Sequence, residues 1–264
     1  MNSSSLRPVA FVAVSTNHGT MLVNRHDYRI TSMGGYGVGF QLLNRSAFDP
    51  EEVSLALQLL HTRRENFGDG VVAIDCGANI GVHTIEWARF MYGWGEVIAF
   101  EAQERIYYAL AGNIAMNNCF NARAVWAAVG ESVGTIRVPK PNYLEPASFG
   151  SLEIRKTDTT EFIGQDIDYS DEGTIETQMM PLDALSLKRL DFIKIDIEGM
   201  EMDALKGARK YIELFKPQMI IEKIKANEGD ISDFIKAIGY NIYPVGINLL
   251  AIHESDPACK LVKQ

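Results

Sequence analysis

From Val71 onward the chain alternates short apolar runs with amphipathic stretches, and the alternation ends in two apolar runs only three residues apart. The apolar runs are VVAID, EVIAFE, ARAVWAAVG, DFIKIDIE, QMIIEKI, YNIYPV and LLAIHE. Between them lie VHTIEWARFMY, RIYYALAGNIAMNN, EMDALKGARKYIELF and DISDFIKAIG, which read as helices. Strands that alternate with helices build a mainly parallel sheet covered on both faces, an α/β, doubly wound arrangement. The link GIN between the last two runs is too short for a crossover, so those strands must be antiparallel.

Ahead of this region, VAFVAV and TMLVNRHDYRI read as a hairpin turning at NHG. The segment GGYGVG (34–39) is too glycine-dense for a regular element, and reads as a connecting turn or a flap over a ligand. A helix follows, with Asp49 as N-cap, Pro50 at its first position and apolar residues at Val53, Leu57 and Leu60. Residues 1–65 are therefore expected to form an arm packed on a core of 66–264. An irregular insertion at about 139–173 interrupts that core, and its part 157–173 carries six acids without a lysine or arginine. It reads as a solvated excursion or as a wall of the site, since long loops in compact domains often line active sites.

The formal charge of -9 argues against a phosphate backbone as partner, so no nucleic acid is expected. Cys76, Cys119 and Cys259 are scattered and suggest neither a disulfide framework nor a zinc site. No apolar run is long enough to span a bilayer. MNSSSLRPVAFVAVS has a short apolar stretch behind one arginine, a weak secretory signal, and the chain is read as cytoplasmic. Oligomeric state is not legible. Trp87, Trp94 and Trp126 lie in or near core elements and read as packing.

The turn VVAIDCGANIGVHT joins a buried strand to a helix, the place where open α/β sheets hold ligands. Gly77 and Gly81 let the backbone approach a ligand closely. A dinucleotide turn wants glycine where Asn79 stands, which disfavours NAD. Glu101, at the tip of the second strand, can accept hydrogen bonds from a ribose. Asp75 would repel a pyrophosphate but suits a ligand bearing an amino group and a sulfonium.

Together, DCGANIGVHT, VIAFEAQE, LDFIKIDIEGMEMDALKGA and KPQMIIE resemble the FkbM-type methyltransferases, which use S-adenosylmethionine. The resemblance implies a Rossmann-like seven-stranded sheet with a reversed last strand. It places the cofactor over the first two strands and the acceptor over the fourth. It also implies cofactor contacts from Asp75, Gly77, Asn79, Gly81, Thr84 and Glu101. Adenine would be held near AAVGE, by Glu131 or a backbone group.

In FIKIDIEG, the polar residues Lys194, Asp196 and Glu198 alternate with isoleucines and would share one face of a strand. Charged groups in a buried sheet must be paired or functional. The alternatives are an ion pair of Lys194 with Asp196 or Glu222, or acids facing the methyl acceptor. On the second reading Asp196 and Glu198 are the catalytic candidates, with His83 a poorer third. The acids could also hold Mg²⁺ or Ca²⁺, although no metal ligand is assigned. The expected activity is O-methylation of a hydroxyl on a sugar, a glycan or another small polyhydroxylated metabolite. The rivals are an NAD-dependent oxidoreductase or epimerase and a non-catalytic nucleoside-binding module.

Overall fold

The computed structural model describes residues 8–32, 34–225 and 227–260; the first seven residues of the leader candidate lie outside them, and its apolar stretch runs into the first strand. The first elements are strands β1 (Phe11–Thr16) and β2 (Gly19–Asn24), an antiparallel pair turning at Asn17 and His18 as expected. The second strand stops at Asn24 rather than running on through YRI. The Asn24 side chain accepts the His26 N–H, its carbonyl accepts the Asp27 N–H, and the chain turns inward there. The glycine-dense segment is ordered: β3 (Arg29–Thr31) pairs with β4 (Gly34–Tyr36), and a helix absent from the sequence reading, α1 (Val38–Arg45), begins just after it.

Asp27 explains this path. Its carboxylate accepts the Gly39 N–H at the start of α1 and the Phe149 N–H of the insertion, both at 3.0 Å. Burial pushes the Asp27 carboxyl up to about 6, against the pull of those two N–H groups. A raised carboxyl pKa means the folded state binds its proton more tightly than the unfolded chain. The resulting stabilisation is complete below about pH 4 and is lost as the pH rises through about 6, at most about 3 kcal/mol in size. Urea unfolding at pH 4 to 7 should therefore show a steeper fall with pH in the parent than in Asp27→Asn; parallel profiles would refute the assignment.

Helix α2 (Pro50–Phe67) starts after Asp49, whose carboxylate accepts from the Gln41 side chain instead of capping the helix. The rest of the chain supplies β5 (Val71–Cys76), α3 (Val82–Phe90), β6 (Gly95–Glu101), α4 (Glu104–Met116), β7 (Ala122–Trp126) and β8 (Ala128–Val129). Then come β9 (Gly134–Pro139), β10 (Thr174–Met180), β11 (Phe192–Ile195), α5 (Glu201–Gly207) and α6 (Arg209–Phe215). The last elements are β12 (Gln218–Glu222), α7 (Glu228–Ala237), β13 (Tyr240–Val245) and β14 (Asn248–His253). The seven-stranded sheet has the order β13-β14-β12-β11-β5-β6-β7, parallel except for β14, which is antiparallel to both its neighbours. The strand order reverses between β5 and β11, which opens a crevice at their carboxyl ends.

Period-two alternation sends the sheet's side chains into two cores. Ala73, Phe192, Ile220 and Ile252 pack with α2 and α3, while Ile74, Ile193, Ile221 and Ala251 pack with α5, α6 and α7. At the amino end of the strands, buried Arg63 of α2 bridges Asp191 at 3.1 Å and Asp256 at 2.9 Å.

Three sequence expectations need correction. ARAVWAAVG is not one strand, because the chain leaves the main sheet after Trp126 and β8 pairs with β10. The flanks of the insertion are strands too, with β9 antiparallel to β10 in a three-stranded sheet. EMDALKGARKYIELF is two helices broken at Ala208. Among the described residues no helix is long and apolar enough to cross a membrane.

Candidate active site

A cleft of about 290 Å³ lies over the carboxyl ends of β5, β6, β11 and β12. Its floor begins with the turn after β5. Gly77 and Ala78 both donate to the Phe100 carbonyl, which folds the turn over β6. Gly77 has φ +81°, and a Cβ placed on it would stand 1.8 Å from the Asp196 carbonyl oxygen. Only glycine lets the turn of β5 and the end of β11 approach this closely. Asn79 also has a positive φ, of 51°, and its side chain accepts the Ile80 N–H.

Glu101 ends β6 with 6 % of its surface exposed. Its two carboxylate oxygens accept backbone N–H groups, from Asn79 at 3.0 Å and from Gln103 at 2.8 Å. Each oxygen keeps further acceptor capacity toward the cleft. Burial pushes this carboxyl up to about 7, although the same N–H groups favour its charged form. Asp75 borders the cleft beside Lys194, its partner across the β5–β11 ladder. The hydroxyl of Thr84 donates to Asp75 Oδ2 at 2.7 Å, while Oδ1 has no hydrogen-bond partner. Thr84 itself is fully buried and does not line the cleft, so it can reach a ligand only through Asp75.

The acids of KIDIEG do not share a strand face. β11 ends at Ile195, and Glu198, at φ +56°, turns back over the strand end. The turn is held by Glu201, a buried residue whose carboxylate accepts the N–H groups of Ile197 and Gly199. Asp196 and Glu198 nevertheless converge with Glu222 of β12, and one carboxylate oxygen from each lies within 4.8 Å of the others. Two lysines flank them: Lys194 Nζ is 2.7 Å from Asp196, and Lys225 Nζ is 2.6 Å from Glu198. Burial, then the neighbouring carboxylates, raise Glu198 and Glu222 well above the usual carboxylate range. Burial would lower Lys194, but Asp196, Glu52 and Asp75 prevail and keep its ammonium charged. The expected Lys194–Asp196 ion pair is thus present; Lys194 and Glu222 do not pair.

The stretch that builds this cleft, residues 75–242, matches the family model of the methyltransferase FkbM domain and takes in well over half of the chain. The chain belongs to the FkbM methyltransferase family. It is 26% identical over 181 residues to Methyltransferase sdnD of Sordaria araneosa, across 58% of this chain and 70% of that one. With Methyltransferase 1 of Beauveria bassiana (strain ARSEF 2860) it shares 24% identity over 151 residues, 53% of this chain and 59% of the other. Among solved structures, methyltransferase FkbM from Methylobacillus flagellatus KT is similar at 22% identity and a TM-score of 0.48, across 70% of this chain and 43% of that one.

In this FkbM chain the cleft has contributors that the motifs do not reveal. Glu52 of α2 reaches over β11, within 3.2 Å of His83 Nε2 and 3.7 Å of Lys194, and accepts from Asn248 at 2.7 Å. Burial opposes its ionisation, yet His83 and Lys194 hold its carboxyl at about 2. His83 is buried against this pair and borders the cleft. Tyr36, Gly37 and Val38 form one wall, and Ser148, Ser151 and Leu152 of the insertion another. The 157–173 acids mostly face solvent, apart from Glu161, which joins Arg29 to Lys225. Glu131 is exposed and lies 3.6 Å from Lys206; in its place the segment Ala127, Ala128 and Val129 lines the cleft. Trp87 is fully buried against Phe192 and serves packing.

Proposed function

We propose that the chain transfers the methyl group of S-adenosylmethionine to a hydroxyl of a small polyhydroxylated acceptor, a sugar or a glycan end. The observation that carries this reading is the pairing, in one cleft, of the Glu101 carboxylate over β6 with the acids at the ends of β11 and β12. The first suits a ribose; the second suit an acceptor hydroxyl.

The residues present fit the cofactor. Glu101 keeps lone pairs for the two ribose hydroxyls, and the buried, unpartnered Asp75 Oδ1 suits an ammonium. Gly77 and Gly81 leave room at the turn, and Asn79 shapes it through its own backbone. When bound, the cofactor supplies a methyl carbon already activated by its sulfonium. The protein's task is then alignment, which contributes up to roughly 7–11 kcal/mol in ideal cases. Asp196, fixed by Lys194, orients the acceptor hydroxyl, and Asp196 or Glu198 takes its proton, a contribution of about 10²–10⁴-fold. The acidic surface balance of the chain speaks against a nucleic-acid acceptor.

Calorimetry with S-adenosylmethionine, S-adenosylhomocysteine and NAD tests the donor. The first two should bind and NAD should not; NAD binding alone would sink the reading. Glu101→Ala should weaken cofactor binding at least about tenfold, given roughly 1.5–3 kcal/mol for hydrogen bonds to a charged group. Unchanged affinity would remove Glu101 from the ribose. Labelled cofactor supplied with a panel of sugars and polyols should give a methyl ether, and a blank panel alongside intact cofactor binding would favour a binding module.

A further inference from the structure

At the acceptor end of the cleft, one oxygen each from Asp196, Glu198 and Glu222 lies within 4.8 Å of the other two. Carboxylates gather on protein surfaces for many reasons, and their nearness alone does not define a ligand. Glu222 is the decisive member. It is only 8 % exposed, borders the same cleft, and its Oε2 has no hydrogen-bond donor. The nearby cations are committed elsewhere. Lys194 faces Asp196 and Glu52, while Lys225 faces Glu198, Glu161 and Glu153 and donates to the Ser151 carbonyl. Among the described residues no lysine, arginine or histidine pairs with Glu222. A buried carboxylate oxygen without a donor is costly, and Lys194 acts on Glu222 only from beyond ion-pair distance, so this corner of the cleft is short of positive charge.

We propose that Asp196, Glu198 and Glu222 bind one hard divalent cation. Opposite ligands of a Ca²⁺ ion stand about 4.8 Å apart and those of Mg²⁺ about 4.2 Å, so a single ion can touch all three oxygens with little movement. The ligand atoms are all carboxylate oxygens, which select Mg²⁺, Mn²⁺ or Ca²⁺ over metals that prefer nitrogen or sulfur. The two lysines do not fill the site. Each approaches one oxygen, and an ionised carboxylate has two oxygens with about four lone-pair positions. Three protein ligands leave coordination positions open, where neighbouring hydroxyls of a polyol would bind side by side. That role rests on the methyl-transfer reading above; the cation's binding does not.

The test is titration of the full chain with Mn²⁺, without cofactor or acceptor, by calorimetry and by electron paramagnetic resonance of the free ion. One Mn²⁺ per chain should bind with a dissociation constant below about 1 mM and be displaced by Ca²⁺ or Mg²⁺. Glu222→Gln and Asp196→Asn should each weaken it at least about tenfold, and Asp166→Asn in the exposed insertion should leave it unchanged. S-adenosylhomocysteine binding, measured on the same samples, reports that the variants are folded. No saturable binding up to about 10 mM Mn²⁺, or equal affinity in Glu222→Gln, would overturn the site. If S-adenosylhomocysteine still binds in that case, the methyl-transfer reading survives. Mn²⁺ binding without S-adenosylhomocysteine binding would mean the reverse.

Discussion

Gly77→Ala should abolish methyl transfer, with a loss of at least about 100-fold in kcat. The added Cβ would stand 1.8 Å from the Asp196 carbonyl, and neither side of that contact is a flexible side chain. The Asp196 N–H is bonded to the Cys76 carbonyl at 3.1 Å, so the two segments cannot part without breaking the end of the β5–β11 ladder. The turn after β5 and the turn after β11, proposed above to hold cofactor and acceptor, would move apart by an ångström or more, and about 1 Å of misplacement can cost about 10²-fold. A left-handed φ adds about 1–2 kcal/mol of strain for any residue but glycine. Gly93 provides the control, since it has the same φ of +81° with nothing near its missing Cβ. Gly93→Ala should therefore lose some stability and keep its turnover. Equal losses in both variants would mean that strain, not the close approach, governs the turn.

Arg63→Met should lower the unfolding free energy by about 3–5 kcal/mol, the usual cost of removing one partner from a buried ion pair. Arg63 is 5 % exposed, Asp191 is fully buried and Asp256 is 5 % exposed. Asp191 would keep Arg189, at 2.7 Å, and the Val72 N–H. Asp256 would keep only uncharged donors, from Gln218 and Ala258, so most of the loss falls on it. Adding Asp256→Asn should restore part of the stability, because neighbouring charges couple in a double-mutant cycle. The network lies at the amino end of the sheet, away from the cleft. Cofactor affinity measured well below the melting range should hardly change. A loss under about 1 kcal/mol would show that water or rearrangement compensates the two acids.

The parallel sheet and its reversed ending were legible because buried parallel strands are continuous apolar runs, and because GIN is too short to cross the sheet. The place of Asp75, Gly77 and Glu101 in the cleft was legible for a related reason, since strand tips at a switch point border the crevice. The face shared by Lys194, Asp196 and Glu198 was misread. Alternation was extended past Ile195, where the β5 turn ends the ladder and a left-handed Glu198 takes over. Glu52 and Arg63 were missed although a signal existed. Spacings of four, three and four link Glu52, Ala56, Leu59 and Arg63, which puts both charges on the buried face of α2. Asp27 gave no such signal. Its partners, Gly39 and Phe149, are joined only by tertiary folding. The strands beside the insertion, β9 and β10, are half exposed; TIRV in β9 does alternate as a strand should and was overlooked, whereas TIETQMM in β10 lacks a clean alternation.

That hairpin has a consequence for how such an enzyme can change acceptor. Pro139 and Thr174 face each other across the base of β9 and β10, so everything between them hangs from a closed stem. Glu222 belongs to the sheet and Asp196 and Glu198 to the tight turn after β11, whereas Ser148, Ser151 and Leu152 belong to the hanging segment. On the proposed function, recognition and chemistry are then carried by separable stretches of chain. A replacement segment that still offers a backbone N–H to Asp27 could be grafted onto the stem, giving a new acceptor preference over an unaltered donor floor.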